Sequence, residues 1–165
     1  MVIYVFNNKY GDEGLTILFN EEISKASDEI DFLGALKELK AYIKLAISYF
    51  NPFKYYFIND SLSKIIESLD KIEKDYSLNL EKEYNAAYII YLEEKIDELK
   101  IKINNYENKD HVVNKLSALI EIIYTKSLKL ERCYYKLNKE YKFQSYLNRL
   151  NDYFYLLKDY VNKEM

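Results

Sequence analysis

Apolar residues recur at alternating three- and four-residue steps in five successive segments of this chain, and that spacing constrains its fold more than any other feature. The stripes are Phe32, Leu36, Leu39, Ile43, Ala46, Phe50; Leu62, Ile65, Leu69, Ile72, Tyr76; Ile89, Leu92, Ile96, Leu99, Ile103, Tyr106; Val112, Leu116, Leu119, Ile123, Leu130, Leu137; and Leu147, Leu150, Phe154, Leu157, Val161. At about 3.6 residues per turn such spacing keeps side chains on one helix face, so each segment must bury its stripe against a neighbour. The fold expected is mainly α: one domain over residues 1–165, a bundle of about five amphipathic helices (20–165) behind a short N-terminal β-hairpin (1–19).

The hairpin is read from Val2–Phe6 and Leu15–Phe19, two β-branched and aromatic runs separated by Asn7–Gly14, a stretch rich in turn formers. Two strands alone are marginal in water, so they must pack on the helices or pair with a second copy in a homodimer. Either Asn20 with Glu21 and Glu22, or Ser27 with Asp28 and Glu29, can cap the first helix, and the two remain equal at this point. Asn51-Pro52 should stop that helix, because the residue before proline avoids the α region. Asn59–Ser61 opens the second helix, Ser77–Asn79 precedes the third, and Glu107–Asp110 precedes the fourth. Between the fourth and fifth stripes neither glycine nor proline occurs, so one helix with a phase shift and two separate helices stay open. Ala86–Leu92 is apolar around its whole circumference, which points to a central third helix.

One cysteine, Cys133, excludes an intramolecular disulfide, and no run reaches the roughly 18 apolar residues of a membrane span. With no basic leader before Asn7, a cytoplasmic protein away from membranes is expected. Abundant lysine, isoleucine, asparagine and tyrosine suggest an A/T-rich source such as a mobile element or virus.

Catalytic signals are weak. His111, the sole histidine, is read as a polar first-turn residue, since a general base would need a partner and a cleft. Cys133 lies near the buried stripe and is read as packing. Glu93, Glu94, Asp97 and Glu98 are read as a solvated face, because one histidine cannot complete a di-metal bundle site. No glycine-rich phosphate loop, nucleophile elbow or paired Cys-x-x-Cys occurs.

Two surface patterns remain. Taking about 100° per residue, Lys126, Lys129, Arg132, Lys136 and Lys139 fall within an arc of about 140°, flanked by Tyr124 and Tyr135. Residues 111–165 carry ten basic and six acidic side chains, against fourteen and twenty-one elsewhere, so the positive charge gathers where this stripe lies. Tyr55, Tyr56, Tyr91, Tyr124, Tyr135, Tyr153 and Tyr155 fall off the main seams, and tyrosine is enriched at protein interfaces. The reading is a non-catalytic protein-binding module, a small adaptor, inhibitor or assembly subunit acting through tyrosine-rich helical faces. Its partner-binding residues are Tyr124, Tyr135, Lys126, Lys129, Arg132, Lys136 and Lys139. The alternative is a nucleic-acid-associated subunit whose lysine stripe follows a phosphate backbone. No cofactor, metal or catalytic residue is assigned.

Overall fold

The computed structural model describes residues 11–78, 86–105, 114–137 and 143–164. Two short strands, β1 (Leu15–Leu18) and β2 (Glu21–Ser24), precede five helices: α1 (Asp28–Tyr49), α2 (Tyr56–Ser77), α3 (Ala86–Asn104), α4 (Lys115–Lys136) and α5 (Gln144–Glu164). The bundle expected from the five stripes is therefore the fold.

Local chemistry explains where the helices begin and end. The Ser27 hydroxyl accepts from the Ile30 N–H at 3.4 Å, which decides the first cap in favour of Ser27. α1 stops at Tyr49, just before Asn51-Pro52. The Asn51 side chain accepts from the amides of Phe53 and Lys54, at 2.9 and 3.1 Å, and folds the turn that lets α2 begin at Tyr56, three residues before Asn59. Asn114 and Ser117 cap one another reciprocally at the start of α4. α4 and α5 are two antiparallel helices, with Tyr124 edge-on to Tyr155 and the Asn151 amide donating to Glu131 at 2.7 Å. The proposed helix start at His111 and the boundary at Glu107–Asp110 lie outside the described residues.

The stripes are the core. Phe32, Leu36, Leu39, Ile43 and Ala46 of α1, Leu62, Leu69, Ile72 and Tyr76 of α2, and Leu150, Phe154 and Leu157 of α5 are fully shielded, within one continuous cluster. α1 packs on α4, α4 on α5 and α5 on α3, while α2 lies along α1. Lys40 of α1 fastens the last pair, donating to Asp70 at 2.6 Å and to Glu73. α2 also reaches α5, through Phe57 edge-on to Tyr160 and the Ser68 and Tyr146 hydroxyls.

The hairpin pairs other residues than expected. Leu15–Leu18 is a strand, but its partner is Glu21–Ser24, with Leu18 opposite Glu21; Val2–Phe6 lies outside the described residues. The two-residue loop holds Phe19 and Asn20 at positive φ, 56° and 63°, the mirror-image turn whose twist suits two strands. A bulky residue is costly in that conformation, and Phe19 is held there edge-on to Tyr76, with ring centroids 5.4 Å apart. Leu18 is buried beside it, so the hairpin finds support within its own chain.

α3 is not central. Ala86, Ala87 and Ile90 face solvent, and only Leu92, Ile96 and Leu99 are buried. Its tyrosines explain why an apolar circumference can sit at the periphery: their hydroxyls reach α2 acids, Tyr91 donating to Asp60 at 3.0 Å and Tyr88 to Glu67 at 3.3 Å. Burial beside Asp60 pushes the Tyr91 phenol up to about 12. Leu92→Ala is expected to cost about 2–5 kcal/mol, while Ile90→Ala changes stability by less than about 0.5 kcal/mol. Urea denaturation of the two variants checks the contrast.

Candidate functional site

The hairpin end of the bundle collects the residues with chemical capacity. Gly11 and Gly14 take φ of 96° and 79°, open only to glycine at low cost. A β-carbon on Gly11 would meet the Lys25 ammonium at 2.9 Å and the Leu15 carbonyl at 3.0 Å. The turn closes when the Gly14 N–H donates to the Gly11 carbonyl at 3.1 Å, and Lys25 grips it twice. Its backbone N–H donates to Gly14 at 2.8 Å and its ammonium to Gly11 at 2.6 Å. An exposed lysine on a tight glycine turn is thereby fixed two residues before the Ser27 cap, where the α1 dipole is positive. Next to it, β1, the Phe19-Asn20 loop, the first turns of α1 and the end of α2 enclose a cleft of about 670 Å³, with Thr16, Asn20, Lys37 and Ser77 among apolar walls.

The basic stripe of α4 runs toward the same end, since α1 and α4 are antiparallel. Its described lysines are not free. Glu38 of α1 accepts from Lys126 at 2.7 Å through one carboxylate oxygen and from Lys129 at 2.9 Å through the other. These hydrogen bonds hold the Glu38 carboxyl below its ordinary value and raise the Lys129 ammonium. Lys126 also lies over the Tyr42 ring, at 5.7 Å. Lys136 stands 3.9 Å from Asp28 in the first turn of α1. Arg132, between Lys129 and Lys136, is exposed and meets no partner among the described residues. Lys139 lies outside them.

Of the flanking aromatics, Tyr124 is half-buried between α4 and α5, with Lys158 above its ring, whereas Tyr135 is 52% exposed and stacks edge-on against Tyr134. The other surplus tyrosines divide the same way. Tyr55 and Tyr153 are core, while Tyr56 and Tyr155 are exposed. Cys133 is buried, and desolvation raises its thiol, as fits a packing role. The acids of α3 bind neighbours: Glu93 takes Arg149, Glu98 takes Lys95, and Asp97 takes Lys100. No group of three or more His, Cys, Asp or Glu side chains able to hold a metal is found among the described residues. Among the same residues, no helix is long and apolar enough to cross a membrane.

A family model for cobalamin adenosyltransferases matches residues 6–161, nearly the whole chain. The chain belongs to the cobalamin adenosyltransferase family. Solved structures agree in fold. A variant of the PduO-type ATP:corrinoid adenosyltransferase from Lactobacillus reuteri, complexed with cobalamin and ATP, is 21% identical, with 93% of this chain and 91% of that chain covered and a TM-score of 0.77. A second variant of that enzyme with the same ligands is 22% identical over 95% and 90%, at 0.78. A third, described as an ATP:co(I)rrinoid adenosyltransferase complexed with ATP, is 22% identical over 93% and 92%, at 0.77. No curated protein sequence matches significantly.

Membership in the cobalamin adenosyltransferase family overturns three readings of the sequence. A non-catalytic adaptor, inhibitor or assembly subunit does not fit a family of enzymes, and neither does a nucleic-acid-associated subunit. The conclusion that the chain is not an enzyme is corrected with them. A viral or mobile-element origin gains no support from these relatives. The Gly11–Gly14 turn carries a signal in the sequence, two of only three glycines within four residues just ahead of a β-branched run, which reads there as the hairpin connection.

Proposed function

We propose that this chain transfers the adenosyl group of ATP to the cobalt of a corrinoid in its Co(I) state. The observation that carries the reading is the family match over residues 6–161. In such a transfer the cobalt electron pair forms the Co–C bond at C5′ of ATP. The C5′–O bond breaks, and triphosphate leaves with its electrons. The nucleophile arrives with the substrate, so no protein histidine, cysteine or acid pair has to supply one. What the protein must provide is alignment, exclusion of water and positive charge for the leaving group.

The hairpin end has groups suited to those tasks. Arg132 offers a planar fork with no competing carboxylate among the described residues, the geometry that suits phosphate oxygens. Lys25, held by the Gly11–Gly14 turn, adds a cation close in sequence to the start of α1. The stripe read as a partner surface thus becomes, at Arg132, a polyphosphate contact. ATP is a cytoplasmic substrate, which accords with the compartment read from the sequence. A homodimer stays part of this reading, because Leu15 and Ile17 leave an apolar hairpin face uncovered; light scattering of the active species reports it.

The test is direct. Purified protein is mixed anaerobically with ATP and chemically reduced cobalamin, and the light-sensitive Co–C product and released triphosphate are followed together. One triphosphate per adenosylated corrinoid is expected. Absence of both products would overturn the reading.

A further inference from the structure

The α4 stripe has the spacing of a polyanion track, yet three of its four described cations are paired with acids of α1. Glu38 gives one oxygen to Lys126 and the other to Lys129, while Asp28 faces Lys136. Of the four described cations of the stripe, three are thus met by two α1 acids, and Arg132, midway along the row, is left without a partner among the described residues. Ion pairs still open to solvent add little stability, typically under about 1 kcal/mol, and Glu38 and Lys126 are only half-buried, so holding the fold together is a weak explanation for this arrangement. Their effect on the field is larger. Affinity for long polyanions grows with every free cation, and a carboxylate seated between two ammonium groups also repels an incoming phosphate.

We propose that Glu38 is a specificity-determining residue, which holds Lys126 and Lys129 silent so that the stripe receives the short polyphosphate of a nucleotide at Arg132 instead of tracking nucleic acid. This rests on the nucleotide-binding reading above. A local anion site with one free fork discriminates by reach: a nucleotide meets Arg132 alone, whereas a strand must lay successive phosphates across the paired lysines and Glu38 itself. Glu38 acts through the lysines and is a positioning residue.

The experiment measures binding of a single-stranded oligodeoxythymidylate to the full chain across a salt series, with ATP binding measured alongside. Glu38→Gln should tighten oligonucleotide binding at low salt by about three- to tenfold and steepen the log–log salt slope by about 0.7–1.4, the range for one to two additional effective phosphate contacts. ATP affinity should change far less. Adding Lys126→Met and Lys129→Met to Glu38→Gln should return the oligonucleotide slope to its original value, a reversal that general damage to the fold would not produce. Lys126→Met with Lys129→Met, Glu38 intact, should lower affinity modestly through the unpaired carboxylate but shift the oligonucleotide salt slope by less than about 0.7, less than one phosphate contact, and this comparison holds even where Glu38→Gln folds poorly. An unchanged slope in Glu38→Gln, or a large loss of oligonucleotide binding in the lysine pair variant, would overturn the proposal. Failure of the unmodified protein to bind ATP would remove the nucleotide reading, while the oligonucleotide arm would still decide whether Glu38 silences the lysines.

Discussion

Arg132→Ala is expected to lower kcat/KM for adenosyl transfer by about 10- to 100-fold while leaving the melting temperature within about a degree or two. A hydrogen bond to a charged group contributes a net of about 1.5–3 kcal/mol, and each 1.36 kcal/mol is tenfold in rate. The effect on stability is small because Arg132 is exposed and has no partner among the described residues, so its removal orphans no neighbouring charge there. Arg132→Lys keeps the charge but loses the planar fork, and it should recover only part of the activity. A defect mainly in KM for ATP would mean that Arg132 binds substrate and transition state alike; one mainly in kcat would mean that it grips the departing triphosphate. Steady-state kinetics of both variants with ATP varied at saturating reduced corrinoid makes the measurement. Activity within twofold of the unmodified protein would remove Arg132 from the site.

Phe32→Ala should be the most damaging truncation at the hairpin end, costing about 3–5 kcal/mol out of a total stability of roughly 5–15 kcal/mol. Phe32 is fully buried, with its ring edge-on to Tyr76 of α2 at 5.0 Å and tilted against Tyr134 of α4 at 6.2 Å. Tyr76 in turn carries Phe19 of the hairpin loop. Removing one ring therefore opens a cavity at the junction of three helices and loosens the residue that holds the strained loop over the cleft. Urea denaturation reads the stability loss. Weaker ATP binding under conditions where the variant is still folded reads the loosening. A loss below about 1 kcal/mol would show that Phe32 is not the tie between hairpin and bundle.

The catalytic identity was hard to see in the sequence for a chemical reason. Residue patterns reveal enzymes most readily when the protein supplies a nucleophile, a base or a metal ligand, and here the proposed electron pair belongs to the corrinoid. What is left for the protein is charge and shape. Lys25 and the two glycines are ordinary residues until the turn between them closes, and Arg132 looks like one cation among five until its neighbours are paired.

Periodicity alone determined the helical class, the five segments and about two thirds of the described core, while Tyr55, Tyr146, Tyr153 and Tyr160 are buried off the stripes. Burial on one helix face is a local, one-body preference that repeats every turn, and Leu36, Leu69, Ile123 and Phe154 are buried for that reason. The α1 end at Asn51-Pro52 followed in the same way from the steric limits on a single dipeptide. The tertiary structure decided what depends on pairs. Glu21–Ser24 became a strand because Phe19 and Asn20 could turn the chain back and Tyr76 was there to receive the Phe19 ring. α3 lies at the periphery, packed on α5 with its tyrosine hydroxyls on Asp60 and Glu67 of α2. Lys126 and Lys129 were silenced because Glu38, nearly ninety residues earlier, came to lie beside them. Which carboxylate meets which ammonium depends on the antiparallel docking of α1 on α4, and a hydrophobic repeat carries the face of a helix but not its neighbour.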